Sequence, residues 1–311
     1  RSTPKPSSAA SDVYKRQLQI PDAFPRLGRA GERVGGINRK AASESGLPEG
    51  VPVSLGSSDT QCGLLGLGLR QVGEVGIITG WSCAIQMLLD RPVFDQRLWT
   101  GGYPLPRTWV LESNAGDLGG AWHWLGEILG EDEARMDRLA EKALRCSGTL
   151  AWLSPQAMDM TQLGMRWGGF LFPLPPQLAG VDRASLIRAA LEGLCFAIKA
   201  NLLQLEEVSG ERARRIGLGG GLAQSRTFSQ ILPQVLGQPV LQARLKEISA
   251  LGAVICAAAG SGRFSSLEEA QEAMKAELQL LEPDPRASLE YAEEFDRWTR
   301  LAHMLEALVE G

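Results

Sequence analysis

The chain has 311 residues, of which 44% are hydrophobic and 22% are charged, and it carries a net charge of −4 at pH 7. This composition is typical of a globular protein, and the absence of a Lys/Arg cluster argues against a nucleic-acid partner held through its phosphates. The longest apolar stretch, residues 250–259, is shorter than the roughly 18–20 residues that a membrane-spanning helix needs. We therefore expect a cytoplasmic protein with neither a nucleic-acid nor a membrane partner.

The first 17 residues are polar, rich in Pro and Ser, and without periodicity, which predicts a disordered tail. Within them, Asp12–Gln17 matches the translation of a transposase adapter that is common in sequencing libraries. We interpret residues 1–17 as a disordered or artefactual leader and expect the native sequence to begin near Leu18 and to extend upstream. Resequencing the locus and finding these codons in the genome would contradict this interpretation.

Short helices and strands alternate over the next part of the chain. The pattern predicts a helix over Arg39–Ser45 closed by Gly46, a strand over Val51–Gly56, a helix over Thr60–Leu69, and strands over Val75–Thr79 and Ala84–Leu89. A tight turn, Gly80–Cys83, joins the last two strands. Strands with interleaved helices indicate an α/β domain.

Three longer helices are predicted further along, over Asp117–Leu129, Arg183–Glu207 and about Ser288–Val309, and Asp182 is a good N-cap for the second of them. Apolar residues recur every three or four positions in the last two helices. In the second helix they are Ile187, Leu191, Leu194, Ile198, Leu202 and Leu205, and in the third they are Tyr291, Phe295, Trp298, Ala302 and Leu305. Such stripes pack into a hydrophobic core.

A glycine cluster follows a short predicted strand in the segment Arg215–Ser225, whose sequence is RIGLGGGLAQS. A helix is predicted directly after it, over Arg226–Leu236. Glycine has no Cβ, so its backbone can approach a phosphate or a purine closely, and free N–H groups at a helix start favour an anion. The segment matches neither the Walker A nor the GxGxxG pattern, so on its own it favours a structural turn.

Three further blocks accompany the glycine cluster: residues 187–193 (IRAALEG) before it, and residues 228–240 (FSQILPQVLGQPV) and 247–253 (EISALGA) after it. In this order the four blocks resemble the adenosine-binding region of the FGGY carbohydrate kinase family, and the similarity spans about residues 18–264. The resemblance implies the α/β fold of actin-like ATPases, in which ATP and sugar bind between two ribonuclease-H-like lobes. It divides the chain into a remnant of the N-terminal lobe (18–72), the C-terminal nucleotide-binding lobe (73–264) and a C-terminal helical extension (265–311).

The resemblance also implies roles for individual residues. Asp59, in the sequence Gly56-Ser-Ser-Asp, matches the family's aspartate at a strand end, which acts as catalytic base, whereas its local sequence alone favours a helix N-cap. Gly80 and Ser82 fall where the family has a phosphate-binding turn, although Trp81 and Cys83 depart from its Gly-Thr-Ser-Gly pattern. The residues implied to line the nucleotide are Gly219, Gly220, Gly221, Leu222, Ala223 and Ser225.

The activity that the resemblance implies is phosphorylation of a sugar, ketose or polyol hydroxyl by ATP with Mg²⁺. No residue is assigned as a metal ligand, and homodimer formation is left open. The resemblance also implies that most of the sugar-binding lobe, which supplies most sugar contacts, is missing from the chain. We expect the isolated chain to be weakly active or inactive.

Two alternatives stay open at this point. Trp81 in the phosphate turn favours a non-catalytic nucleotide-binding module or a degenerate kinase. The stretch Gly80–Ala84 also approximates the Gly-x-Ser-x-Gly elbow of α/β-hydrolases, with Ser82 as nucleophile. That reading needs a histidine, and both His123 and His303 are predicted within helices rather than on a loop after a strand.

Overall fold

This computed structural model describes residues 26–162 and 167–310. The described part of the chain begins with an irregular hairpin. Strand β1 (Arg33–Gly36) pairs antiparallel with β2 (Pro52–Ser54), and helix α1 (Arg39–Ser45) lies between them. The side chain of Asn38 caps α1, and Gly46 ends it with a φ of 73°, as the sequence predicts. The interpretation of residues 1–17 as a leader lies outside the described residues.

A seven-stranded mixed sheet forms the centre of the molecule. Its strands are β3 (Glu74–Thr79), β4 (Cys83–Leu89), β5 (Trp99–Gly102), β6 (Trp109–Asn114), β9 (Arg215–Gly220), β10 (Val240–Ala243) and β11 (Leu278–Leu281), in the spatial order β11-β10-β9-β3-β4-β6-β5. The neighbours β3, β9 and β10 run parallel, and the remaining pairs are antiparallel. Two short strands, β7 (Leu150–Trp152) and β8 (Gly169–Leu171), pair separately.

Helices cover both faces of this sheet. One face is covered by α2 (Asp59–Gly66), α7 (Ile248–Gly260) and α8 (Leu267–Met274), and the other by α3 (Leu118–Leu129), α4 (Glu133–Lys142), α5 (Arg183–Ser209), α6 (Arg226–Leu236) and α9 (Pro285–Glu310). The alternation along β3 explains the two cores, because Val75 and Ile77 point to the second face and Ile78 to the first. The result is a three-layer α/β/α domain.

Helices α2 and α7 pack unusually closely. A Cβ on Gly252 of α7 would lie 1.8 Å from the carbonyl oxygen of Cys62 in α2, so only a glycine fits there. Cys62 and Cys256 are buried within this contact. The close packing fixes the position of α2, and therefore of its first turn, relative to the sheet.

The C-terminal segment is part of the domain core. Strand β11 extends the central sheet beside β10, and α9 buries Tyr291, Phe295, Trp298 and Ala302. The indole of Trp298 stacks on that of Trp152 and donates a hydrogen bond to the carbonyl of Ala151 at 2.8 Å. The predicted stripe is confirmed except at Leu305, which is 41% exposed and lines a surface depression beside Trp152.

Helix α5 carries the other predicted stripe, and all six of its residues are buried. The helix is longer by two residues than the sequence pattern predicts, and Asp182 caps it as expected. No helix among the described residues is long and apolar enough to cross a membrane.

Candidate active site

An open cleft of about 390 Å³ lies where the parallel strands β3 and β9 end. Thr79 at the end of β3 pairs with Gly220 at the end of β9, and the Thr79 hydroxyl donates a hydrogen bond to the carbonyl of Gly219 at 3.0 Å. The cleft is lined by Asp59, Thr60, Ile78, Gly80, Trp81, Ser82, Gly220, Gly221, Lys246, Glu247, Ile248 and Ser249. Ligands of α/β proteins commonly bind at the carboxyl ends of adjacent strands, which makes this cleft the candidate active site.

Asp59 lies in the first turn of α2 and faces the cleft. The N-cap of this helix is Ser58, whose hydroxyl accepts a hydrogen bond from the backbone of Gln61, so the expectation that Asp59 itself caps the helix is wrong. One oxygen of Asp59 accepts a hydrogen bond from the N–H of Thr60 at 2.8 Å, and the side chain is exposed. The carboxylate is therefore open to a ligand in the cleft, where it can serve as a proton acceptor.

The glycines at the end of β9 have different surroundings. Gly220 has a φ of 104°, and a Cβ there would lie 2.5 Å from the carbonyl oxygen of Thr79, so the turn requires glycine. Gly221 is exposed to the cleft. Gly219 is buried against Ile248 and contributes to packing between β9 and α7.

The last three residues predicted to contact a nucleotide do not line the cleft. Leu222 and Ala223 are buried in a 3-10 turn, and the N–H of Ala223 donates to the Thr79 hydroxyl at 3.0 Å. Ser225 caps α6, accepting from the N–H of Phe228, and its hydroxyl donates to Asp137 of α4 at 2.5 Å. Their contact with a nucleotide therefore stays a prediction.

The turn between β3 and β4 is held in place by the start of α3. The carbonyl of Trp81 accepts hydrogen bonds from the N–H groups of Gly119 at 2.9 Å and Gly120 at 3.4 Å. The Trp81 side chain is 68% exposed, and its ring lies 6.4 Å from that of His123. Gly80, Trp81 and Ser82 of this turn all line the cleft.

The hydrolase alternative finds no support in the geometry. Within the described residues, Ser82 makes no hydrogen bond to a histidine. The ring nitrogens of His123 lie 3.7 Å and 3.8 Å from Glu127 and Glu133 instead, on the surface of α3. His303 is an exposed residue of α9. A Ser-His pair is therefore not formed.

A polar network lies behind Asp59 on the sheet. The side-chain amide of Gln86 donates hydrogen bonds to the Thr60 hydroxyl at 3.1 Å and to the carboxylate of Glu112 on β6. Burial raises the pKa of Glu112 despite this hydrogen bond and another with Asn114, and the nearby charge of Asp59 acts in the same direction. The network connects the first turn of α2 to β4 and β6. Asn114 at the end of β6 belongs to this network through its hydrogen bond with Glu112.

Lys246, Glu247 and Ser249 were not predicted as cleft residues, although Glu247 and Ser249 belong to the EISALGA block. They reach the cleft because β10 places the loop before α7 beside the end of β9. A second depression, of about 280 Å³, lies around Trp152 and Phe170, and its described lining is mainly aromatic and apolar, without an ionisable side chain.

Comparison with known proteins supports the resemblance. The model of the FGGY family of carbohydrate kinases, C-terminal domain, matches residues 76–261. Curated relatives include an autoinducer-2 kinase from Enterobacter sp. (strain 638), 26% identical over 292 residues that cover 89% of this chain and 55% of that protein. Another, from Yersinia pestis bv. Antiqua (strain Angola), is 29% identical over 266 residues, covering 81% of this chain and 50% of that protein. The chain thus spans about half the length of the curated relatives it matches.

Solved structures show the same fold. The xylulose kinase from Rhodospirillum rubrum superposes with a TM-score of 0.78 at 22% identity, covering 97% of this chain and 61% of that protein. The Plasmodium falciparum glycerol kinase with ADP superposes with a TM-score of 0.77 at 16% identity, covering 94% of this chain and 59% of that protein. The predicted actin-like α/β fold is confirmed.

Proposed function

Because this chain belongs to the FGGY family of carbohydrate kinases, we propose that it is the nucleotide-binding part of an ATP-dependent kinase for a sugar, ketose or polyol. The observation that carries this proposal is the shared cleft, in which the carboxylate of Asp59 faces the glycine end of β9 and the Gly80–Ser82 turn. A proton acceptor beside backbone that can approach phosphates is what phosphoryl transfer to a hydroxyl requires.

In the proposed reaction, the Asp59 carboxylate takes the proton of the attacking sugar hydroxyl. The hydroxyl oxygen forms a bond to the γ-phosphorus, the bond from that phosphorus to the bridging oxygen breaks, and its electron pair leaves with ADP. The backbone of Gly80, Gly220 and Gly221 and the hydroxyl of Ser82 orient the phosphates. Positioning and charge stabilisation account for most of the catalysis in such transfers.

The residues of the cleft fit a nucleotide with Mg²⁺. Within the described residues, no group of three or more His, Cys, Asp or Glu could hold a metal ion by itself. Mg²⁺ in kinases is usually held by substrate phosphates together with one or two carboxylates, and Asp59 and Glu247 are the carboxylates of this cleft. When bound, Mg²⁺ would neutralise charge on the phosphates.

The rest of the sugar site would come from a segment outside this chain. We propose that residues 18–72 are the end of a sugar-binding lobe, whose last helix, α2, packs on the central sheet. Residues 73–264 form the nucleotide-binding lobe, and residues 265–311 complete it through β11 and α9. The names of the relatives suggest autoinducer-2, xylulose, glycerol and gluconate as substrates to test. A cytoplasmic location is proposed as well, since such sugar kinases act where ATP is made.

The test is ADP release by the gene product that includes the upstream segment, assayed against this panel of substrates. Asp59→Asn should lower kcat by about 10²–10⁴-fold, as expected for loss of a general base. Asp90→Asn, at an exposed carboxylate outside the cleft, serves as the matched control. A fully active Asp59→Asn variant would refute the assigned base, and the 311-residue chain alone should show little activity.

Trp81 favours one other function, a nucleotide-binding module without catalysis. Its exposed indole lines the cleft at the position where the family pattern has a threonine, so no hydroxyl is available there. The test uses the gene product that includes the upstream segment. If it binds ATP but phosphorylates no substrate, and Trp81→Thr restores activity, the protein is a degenerate kinase rather than an active one. Activity in the unmodified protein would exclude it.

A further inference from the structure

One cationic side chain lines the cleft without a role so far. Lys246 lies in the loop between β10 and α7, and its Cε is 4.0 Å from the position that a Cβ would occupy on Gly221. The side chain is exposed, and in the described part of the chain no carboxylate lies within ion-pair distance of its ammonium group. Its stem therefore runs beside the glycine end of β9 while its charge is unpaired.

The charges of the other cleft residues indicate what Lys246 can contribute to ligand binding. Among the cleft-lining residues of the described chain, Asp59 and Glu247 are negative and Lys246 is the sole basic residue. A nucleotide polyphosphate carries several negative charges, and two nearby carboxylates repel it. A cation placed at the same cleft offsets that repulsion.

We propose that Lys246 binds the phosphate groups of the nucleotide in the cleft that it shares with the Gly80–Ser82 turn. In this turn the N–H groups of Trp81 and Ser82 find no acceptor within the described residues, so the turn offers donors to an anion as well. Lysine suits this role because its ammonium group is a compact charge with three donors on a flexible stem. The missing Cβ of Gly221 leaves space for that stem. The inference rests on the proposed function, because it assumes that the cleft holds a nucleotide.

The test measures equilibrium binding to the 311-residue chain by isothermal titration calorimetry, with MgADP and with adenosine as probes. Lys246→Met removes the charge and keeps the apolar stem, whereas Lys246→Arg keeps the charge. Lys142→Met, at the exposed end of α4 and outside the cleft, is the matched control for loss of a surface charge. We expect Lys246→Met to weaken MgADP binding about tenfold, which corresponds to about 1.4 kcal/mol.

In the expected result, adenosine affinity is unchanged by Lys246→Met, and Lys246→Arg and Lys142→Met bind MgADP within about twofold of the original chain. Equal losses for MgADP and adenosine would overturn the inference, since a charge on phosphate cannot affect adenosine. Unchanged MgADP binding in Lys246→Met would also overturn it and leave the kinase proposal intact. If adenosine binds neither the original chain nor Lys246→Met, the MgADP affinities of the two lysine variants decide. The inference then requires that Lys246→Met bind MgADP more weakly than Lys246→Arg. Failure of the unmodified chain to bind MgADP at all would refute the nucleotide cleft itself.

Discussion

Replacing Gly252 with alanine tests the contact that sets the distance between the two sides of the cleft. A Cβ on Gly252 would lie 1.8 Å from the carbonyl oxygen and 2.7 Å from the Cα of Cys62, and both are backbone atoms that cannot rotate away. Since ordinary Cβ contacts begin at 3.4 Å, α2 and α7 would have to separate by about 1.6 Å in a core that is otherwise densely packed.

Overpacking of this kind typically lowers the free energy of unfolding by about 1–3 kcal/mol, whereas alanine in place of a helical glycine raises it by about 0.5–1 kcal/mol. Because the clash is with backbone atoms, the upper end of the overpacking cost applies, and the free energy of unfolding should fall by about 2–2.5 kcal/mol. MgADP affinity should fall as well, because α2 carries Asp59 and α7 follows Lys246. A small shift between these helices alters the cleft on both sides.

The assay is urea unfolding followed by circular dichroism, with calorimetric titration of MgADP on the same samples. Gly102→Ala is the control, since a Cβ there would meet no atom within 4 Å. An unfolding free energy of Gly252→Ala equal to or above that of the original chain would refute the reasoning. It would show that α2 and α7 are not in the contact described.

Three further predictions concern other parts of the domain. Gly220→Ala should lower the unfolding free energy by about 1–3 kcal/mol and abolish MgADP binding, because the turn has a φ of 104°; urea unfolding and titration check this. Glu112→Gln should raise stability at pH 8, and the gain should shrink toward pH 4. Burial raises the pKa of Glu112, so its ionisation above the ordinary value of 4.5 opposes folding; a variant less stable at pH 8 would contradict this. Trp298→Ala should cost about 3–5 kcal/mol in urea unfolding, and a loss below 1 kcal/mol would show that α9 is not part of the core.

The elements with strong local signals are the ones that the sequence predicts well. Helix α5 is predicted to within two residues because its apolar period continues over many turns and Asp182 caps it. Helix α6 and the start of α1 are predicted equally well, since each begins at a side chain that caps it. The family resemblance adds Asp59 and the glycines, which local sequence alone assigns to structural roles.

The elements that were missed depend on distant parts of the chain. Strand β5, with the sequence WTGG, has no alternating pattern and forms only because β6 supplies its partner. Ser58 and Asp59 are both good N-caps, so the sequence cannot decide which of them begins α2. Lys246 reaches the cleft through the pairing of β10 with β9, and no local pattern around it signals that position.

The floor of the cleft also has a consequence for how the chain folds during synthesis. Thr79 and Gly219, which are joined there by a hydrogen bond, are 140 positions apart in the sequence. At about 5–20 residues per second, a ribosome takes on the order of 10–30 s to make the intervening chain. Throughout that interval the apolar β3–β4 hairpin has an open edge, where a chaperone or another nascent chain can pair before β9 arrives.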